Sequence, residues 1–256
     1  MTAILKKELS SYFKSFTGYI TAAALVMISG FLFYLRTIYY AEQSAIMAGA
    51  PPGMAPNINF NKAILASLPS TAIFIALFFV IPVMTMHIFA EEKKTGTLEM
   101  LFTYPITEMQ LIAGKYLSCL AAILPGILLT GIFPFFLIKF MPGMDLGYLA
   151  AGYTGVILAC MAGTAIGMWA SSLSGNQIIS CIASVGIFLL LWLIGGPADL
   201  MTGPFSEFLK AASFANNMEN FTKGAIELPS AAYFIGIAAF FIYLTYYNLA
   251  SRKWRG

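Results

Sequence analysis

The only histidine of this 256-residue chain, His87, stands one helical turn before Glu91, and Glu92 follows directly. A His-x-x-x-Glu pair has the spacing of two metal ligands on one helix face. A catalytic zinc needs three protein ligands and a structural zinc four, so the pair does not make a metal site, and His87 reads as an interfacial histidine. The neighbouring carboxylates Glu91 and Glu92 raise the chemistry of an intramembrane hydrolase, but no partner His or Arg follows at a useful spacing. Cys119, Cys160 and Cys181 lie in apolar runs. Their spacing matches no metal or redox motif, and they read as small hydrophobic packing residues. No phosphate-cradling G-x-x-x-x-G-K-[ST] loop occurs. The chain is therefore expected to have no catalytic residues, no metal and no bound cofactor, and to be no enzyme by itself.

The remaining concentration of polar residues is "AEEKKTGTLEMLFTYPITEMQ", residues 90–110. Four charged residues, Glu91 to Lys94, continue an apolar run into water, and Gly96 ends that helix. Thr97 to Phe102 then place Leu98, Leu101 and Phe102 on one face and Glu99 on another, and Pro105 closes the segment. A short amphipathic helix held between two spans suits docking into a groove on a partner; a solvated connector is the other reading of the same residues.

The elements that would hold this segment follow from composition. The chain is 59% hydrophobic and 10% charged, against about 25% charged residues in soluble domains. A helix needs about 20 apolar residues to cross a bilayer. Charge-free intervals of that length predict an all-α membrane domain over 1–256, with an interfacial helix at 1–17 and spans near 18–40, 63–90, 108–138, 147–171, 176–196 and 229–250. Residues 91–106 form the polar segment and 197–228 an external segment, with short interfacial helices expected over 203–223. In the first helix Ile4, Leu5, Leu9, Tyr12, Phe13 and Phe16 oppose Lys6, Lys7 and Lys14, the pattern of a helix lying in a membrane interface. The loop "AGAPPGMAPNINFN" is expected to be irregular.

Thr107 and Gln110 have the spacing of a capping box, with Ile106 and Leu111 at staple positions, and Ser174 and Gln177 repeat the capping spacing before the fifth span. Pro69, Pro82, Pro125 and Pro134 are expected to kink or open the second and third spans. Gly163 and Gly167, spaced G-x-x-x-G, allow close helix approach. The span interiors read as free of ionisable groups. Six spans put both termini on one side. That side holds nine Lys and Arg (Lys6, Lys7, Lys14, Lys93, Lys94, Lys115, Arg252, Lys253, Arg255), and the other holds five (Arg36, Lys62, Lys139, Lys210, Lys223). The excess predicts cytoplasmic termini.

The stretch "EEKKTGTLEMLFTYPITEMQLIAGKYL" resembles the signature of ABC type-2 permeases, the membrane subunits of many bacterial ABC exporters. Glu91, Glu92, Gly96, Thr97, Leu98, Glu99, Leu101, Pro105, Ile106, Gly114 and Lys115 carry the resemblance, with Phe102 at a usual Leu. "ILKKELSSYFKSFTGYI" at the start and "NFTKGAIELPSAAYFIGIAAFFIYLTYYNL" near the end are similar to the gliding-motility-associated branch of that family. The resemblance implies an inner-membrane subunit working with two ABC ATPase subunits, which would bind ATP and Mg. It implies further a second permease copy or a related permease, and an auxiliary membrane protein with a large external domain. The lipid bilayer is the remaining partner, and no nucleic acid is expected. Glu91, Glu92, Gly96, Thr97, Leu98, Glu99, Leu101, Phe102 and Pro105 would form the ATPase-coupling element. Scaffold or mechanical work in an ATPase-driven assembly, without cargo, is the alternative to export.

Overall fold

Six helices among the described residues are long and apolar enough to cross a bilayer: Gly18–Ile46, Leu68–Thr95, Glu108–Phe136, Leu146–Leu173, Gln177–Ala198 and Leu228–Ser251. The computed structural model describes residues 2–48, 67–99, 107–140, 146–201 and 203–253. The expected irregular loop falls almost wholly on residues 49–66, outside that set. No strand occurs among the described residues. The protein is an all-α, multi-pass membrane protein.

In chain order, α1 (Thr2–Lys14) leads into α2 (Phe16–Ala48), the first span, which continues past Arg36 and Glu42. The second span is broken into α3 (Ser67–Ile75), a π-helical turn (Ala76–Val80), α4 (Ile81–Thr85) and α5 (His87–Thr95). The third comprises α6 (Glu108–Thr130) and α7 (Ile132–Phe140), and the fourth is α8 (Leu146–Leu173). The fifth span begins as α9 (Gln177–Leu193) and runs on into α10 (Gly195–Leu200). Two short helices, α11 (Pro204–Ala212) and α12 (Phe214–Thr222), precede the sixth span, α13 (Leu228–Lys253).

The second and fourth spans form the centre of the bundle, with 72% and 61% of their apolar windows buried, against 17% to 22% for the first, fifth and sixth. Small residues on α8 allow this. A Cβ added at Gly163 would lie 2.7 Å from Leu77, and one at Gly152 2.5 Å from Pro69. The side chain of Thr85 stands directly over Gly167. Gly163, Gly167 and Ser171 thus repeat at four-residue spacing along one face of α8, and the second span lies in the resulting channel. With no hydrophobic drive between helices in lipid, close backbone approach of this kind supplies the packing energy.

The second span needs outside help because its own hydrogen bonding is interrupted. Pro82 has no N–H to donate. Just before it the chain widens into the π turn, where the Ile81 N–H reaches Ala76 O. At Met86 the helix breaks again, between α4 and α5. Ser171 Oγ accepts from Phe89 N at 3.0 Å and from Ala90 N at 3.1 Å, and donates to Met86 O at 3.0 Å. From the other side the Tyr12 hydroxyl donates to Met84 O at 3.1 Å. Burial pushes the Tyr12 phenol well above its ordinary pKa, so it stays protonated and remains a donor. Backbone groups freed inside a membrane must find such partners.

In the third span the proline expectation is met at Pro134 and not at Pro125. Pro125 lies inside an unbroken α6, and the interruption comes at Gly131. Pro134 cannot donate to the carbonyl of Thr130, so the ladder is cut there instead. The capping box at Thr107 is formed: its hydroxyl accepts from Gln110 N at 3.3 Å, and Gln110 Oε1 accepts from Thr107 N at 3.4 Å. Ile106, the other half of the staple, lies outside the described residues. The second capping expectation is corrected. Ser174 Oγ accepts from Asn176 N at 3.0 Å, and Asn176 Oδ1 accepts from Ile178 N at 2.9 Å, so Asn176 is the cap of α9. The serine hydroxyl is used in the turn before the helix begins.

The segment before the sixth span is helical, as expected, and α12 does more than lie on the surface. Its Phe214, Met218 and Phe221 are buried, and a Cβ at Gly155 would come 2.6 Å from Phe221. Cys119 and Cys160 are free and fully buried, and Cys181 is free and half-buried.

Replacing Ser171 by Ala leaves two N–H groups and one carbonyl of the broken span without their partner, at a cost of about 1–3 kcal/mol. A lowered thermal midpoint in detergent is expected for Ser171→Ala, with Ser171→Thr retaining more of the stability. Equal midpoints for Ala and native protein would show that the break is satisfied otherwise.

Candidate functional site

One residue near the start of the third span gathers three segments. Lys115 lies two turns into α6 and is 2% exposed. Its ammonium donates to Glu92 Oε1 at 2.7 Å, Glu8 Oε1 at 3.0 Å and Ile88 O at 3.1 Å. An ammonium has three donors, and all three are used. The Phe89 ring lies 5.5 Å from Nζ, within cation–π range. The expectation that the span interiors hold no ionisable group is corrected by this residue. A buried lysine is tolerated here because two carboxylates and a carbonyl replace its hydration.

The helix α1 is shaped to deliver Glu8. Ile4, Glu8 and Tyr12 repeat at four-residue spacing and therefore share one face. A Cβ added at Gly114 would lie 3.0 Å from Ile4, so the glycine permits the approach that lets Glu8 reach the adjacent Lys115. Tyr12 completes the stripe, with its ring 5.5 Å from that of His87. The helix α1 is thus bound to the bundle along this face, while Lys6, Lys7 and Lys14 are on others.

The opposite side of α5 is fastened separately. Ser172 is next to the last residue of α8, where carbonyls have no helical partner. Its carbonyl accepts from the Lys93 ammonium and from Asn248 Nδ2 at 2.8 Å, and Asn248 Nδ2 also reaches Ser172 Oγ at 2.9 Å. Consecutive residues Glu92 and Lys93 therefore tie the end of α5 in two directions. Glu92 joins it to Lys115 of α6, which also holds Glu8 of α1, and Lys93 joins it to Ser172 at the end of α8, which also holds Asn248 of α13.

Beyond this double attachment the helix stops at Gly96, whose φ of 72° is left-handed and favours glycine. The Gly96 N–H returns to Lys93 O at 3.4 Å. Thr95 Oγ1 donates to Glu91 O at 2.9 Å, and Thr97 Oγ1 lies 2.9 Å from Thr95 Oγ1. Residues 97–99 resume helix. Leu98 is buried in the chain's own hydrophobic cluster, whereas Glu91, Thr95, Thr97 and Glu99 are exposed. Leu101, Phe102 and Pro105 lie outside the described residues.

Between α1, α5 and α6 is a polar cleft of about 290 Å³, with walls that include Glu8, His87, Glu91, Glu92, Thr97 and Lys115. His87 and Glu91 face this cleft without a third ligand, and no group of three metal-ligating side chains occurs among the described residues. Of the residues singled out from sequence, Glu91, Glu92 and Thr97 meet here. Sequence reading missed Glu8, Lys115, Ser171, Ser172 and Asn248. Lys115 carried a usable signal, since a lysine two turns inside an apolar helix requires an anionic partner. Glu8, in the middle of α1, and Ser171, Ser172 and Asn248, near helix ends, are ordinary polar residues and carried none.

Lys115→Met removes the cation from between two partly buried carboxylates. Breaking such a pair costs about 3–5 kcal/mol, and a sharply lowered thermal midpoint and yield in detergent are expected. The triple variant Lys115→Met, Glu8→Gln, Glu92→Gln, which removes the stranded charges as well, should recover much of the loss. A single variant as stable as the native chain would show that apolar packing alone holds the three segments.

A family model, described as ABC-2 family transporter protein, matches residues 2–248. No curated protein matches the chain. The match takes in α1 with Glu8, the doubly fastened end of α5, Lys115, and α13 as far as Asn248. The chain belongs to the ABC-2 family of transporter proteins.

Proposed function

We propose that the chain is the membrane subunit of an ATP-driven exporter, and that a separate ATPase docks on the segment that begins at Glu91 and passes through Glu99. The observation that carries this reading is the double fastening of α5. A docking element transmits force only if its stem is stiff, and Glu92 and Lys93 hold this stem to the third and fourth spans. Thr95, Gly96, Thr97 and Glu99 stand exposed at its tip, where a partner can reach them. Leu98 anchors the tip to its own protein. The proposal extends to Leu101, Phe102 and Pro105 on the strength of the sequence resemblance.

In this reading two ATPase subunits bind ATP and Mg and close on one another. The movement is passed through residues 91–99 to α5, and from there through Lys115 and Ser172 to the third, fourth and sixth spans. Such a shift requires contacts that differ between the two states, and exposed Glu91 and Glu99 are placed to make them. Two permease chains, identical or related, complete the assembly in the inner membrane, with both termini cytoplasmic as the excess of Lys and Arg at that end favours. The gliding-motility branch and its auxiliary membrane partner rest on the sequence similarity at the two ends of the chain.

Purification of the tagged chain from its host in mild detergent should bring down an ABC ATPase in stoichiometric amount. Glu99→Lys, at an exposed position, should leave insertion and thermal stability unchanged. An exposed charge contact is worth up to about 1 kcal/mol, so ATPase affinity for the membrane subunit should fall up to about fivefold, with stimulated ATP hydrolysis falling alongside at limiting ATPase. Full stimulation in the variant would remove Glu99 from the docking element, and a chain that purifies without any ATPase would overturn the reading.

A further inference from the structure

A second cavity lies on the bilayer-facing side of the bundle, where α1 meets the first and third spans. It measures about 190 Å³, and its walls include Phe13, Tyr19, Ala22, Met84, Ala122 and Leu129. The slot exists because small residues face each other across it: Gly18 and Ala22 on the first span, Ala122 and Gly126 on the third. Gly126 brings these spans together, since a Cβ there would lie 3.3 Å from Leu25. Phe13, Tyr19 and Leu129 are exposed at its margin.

Water is a poor occupant. A buried water needs two to four polar partners, and the nearby polar groups are already engaged: the Tyr12 hydroxyl with Met84 O, and Thr21 Oγ1 with Gly18 O at 3.0 Å. The margin has the composition of a membrane interface, where aromatic rings and basic residues meet lipid headgroups. Lys14 follows Phe13 in the last turn of α1 and is exposed. Among the described residues no carboxylate pairs with it. The apolar slot and the exposed ammonium of the residue that follows its Phe13 wall match the two parts of one molecule.

We propose that this groove binds an anionic phospholipid, with part of an acyl chain between the first and third spans and the phosphate against Lys14. The bound chain fills the space beneath α1 and supports the helix that brings Glu8 to Lys115. The proposal depends on the chain's lying in a membrane and is independent of any ATPase.

Native mass spectrometry of the full-length chain tests this with phosphatidylglycerol and phosphatidylcholine of identical acyl chains. One phosphatidylglycerol per chain should be retained, with about a fivefold preference over phosphatidylcholine, equivalent to one basic residue near an anionic surface. Lys14→Gln should abolish the preference while one lipid of either kind still binds. Ala122→Leu narrows the slot and should cut retention about tenfold. Ala22→Leu narrows it from the opposite wall and serves where Ala122→Leu does not fold. Equal retention of both lipids by the native chain would overturn the headgroup assignment. Native-like retention by folded Ala122→Leu or Ala22→Leu would overturn the groove. Cross-links from Tyr19 to a second copy or another protein, in place of lipid, would overturn it as well.

Discussion

The arrangement at the end of the bundle that carries both termini depends on how one ammonium group is solvated. Lys115 is removed from water, and its three donors are met by Glu8, Glu92 and the carbonyl of Ile88. These come from segments that the chain's connectivity alone would not hold together: the amphipathic first helix, the end of the second span and the start of the third. Apolar side chains in a bilayer cannot specify such a meeting, because lipid tails are as apolar as leucine and many packings are nearly equivalent. A buried charge with named partners distinguishes between them, since every displaced arrangement leaves an ion uncompensated. Gly114 belongs to the same device: a Cβ there would lie 3.0 Å from Ile4, so its absence lets α1 lie close against α6 beside Lys115.

Much of the architecture was legible in the sequence. Charges in a chain this apolar are rare enough to mark span boundaries, so six spans, an amphipathic first helix and two short helices before the last span could all be read from their positions. The Thr107 capping box was legible because both halves of the motif lie in one local stretch. The boundaries that were misjudged have two causes. Arg36 and Glu42 interrupt the apolar pattern without interrupting α2, because an exposed helix continues as long as its backbone bonds do. Ser174 yielded the cap of α9 to Asn176, a choice between two equally suitable local acceptors that only the turn geometry decides.

The polar site was less legible, and for a different reason. Glu91, Glu92, Gly96 and Thr97 are consecutive enough to draw attention as a group. Their partners are distant in sequence: Glu92 bonds 23 positions ahead to Lys115, and Asn248 meets Ser172 across 76. Nothing in an isolated Ser or Asn announces a pairing over that distance. Even Ser171, which bonds both sides of the break at Met86, looks like any small residue on a helix face. Only the G-x-x-x-G spacing of Gly163 and Gly167 hinted that another backbone would pass there.

The position of the second span's irregularities relative to these attachments bears on how the bundle could move. The break at Met86 adjoins α5, whose far end is fastened twice, and the π turn at Ala76–Val80 lies one short helix, α4, before it. A regular helix bends little, and sharp changes of direction concentrate at prolines and π turns. Motion imposed on α5 would therefore not spread evenly along the second span. The attachments at Glu92 and Lys93 make α5 move with the ends of its neighbours, and the weakened ladder between Ala76 and Met86 takes up the difference. Ser171 and Tyr12 are then more than patches for unsatisfied backbone. Their hydroxyls, bonded to Met86 O and Met84 O, sit at the joint itself, so that α1 and the fourth span both register its angle.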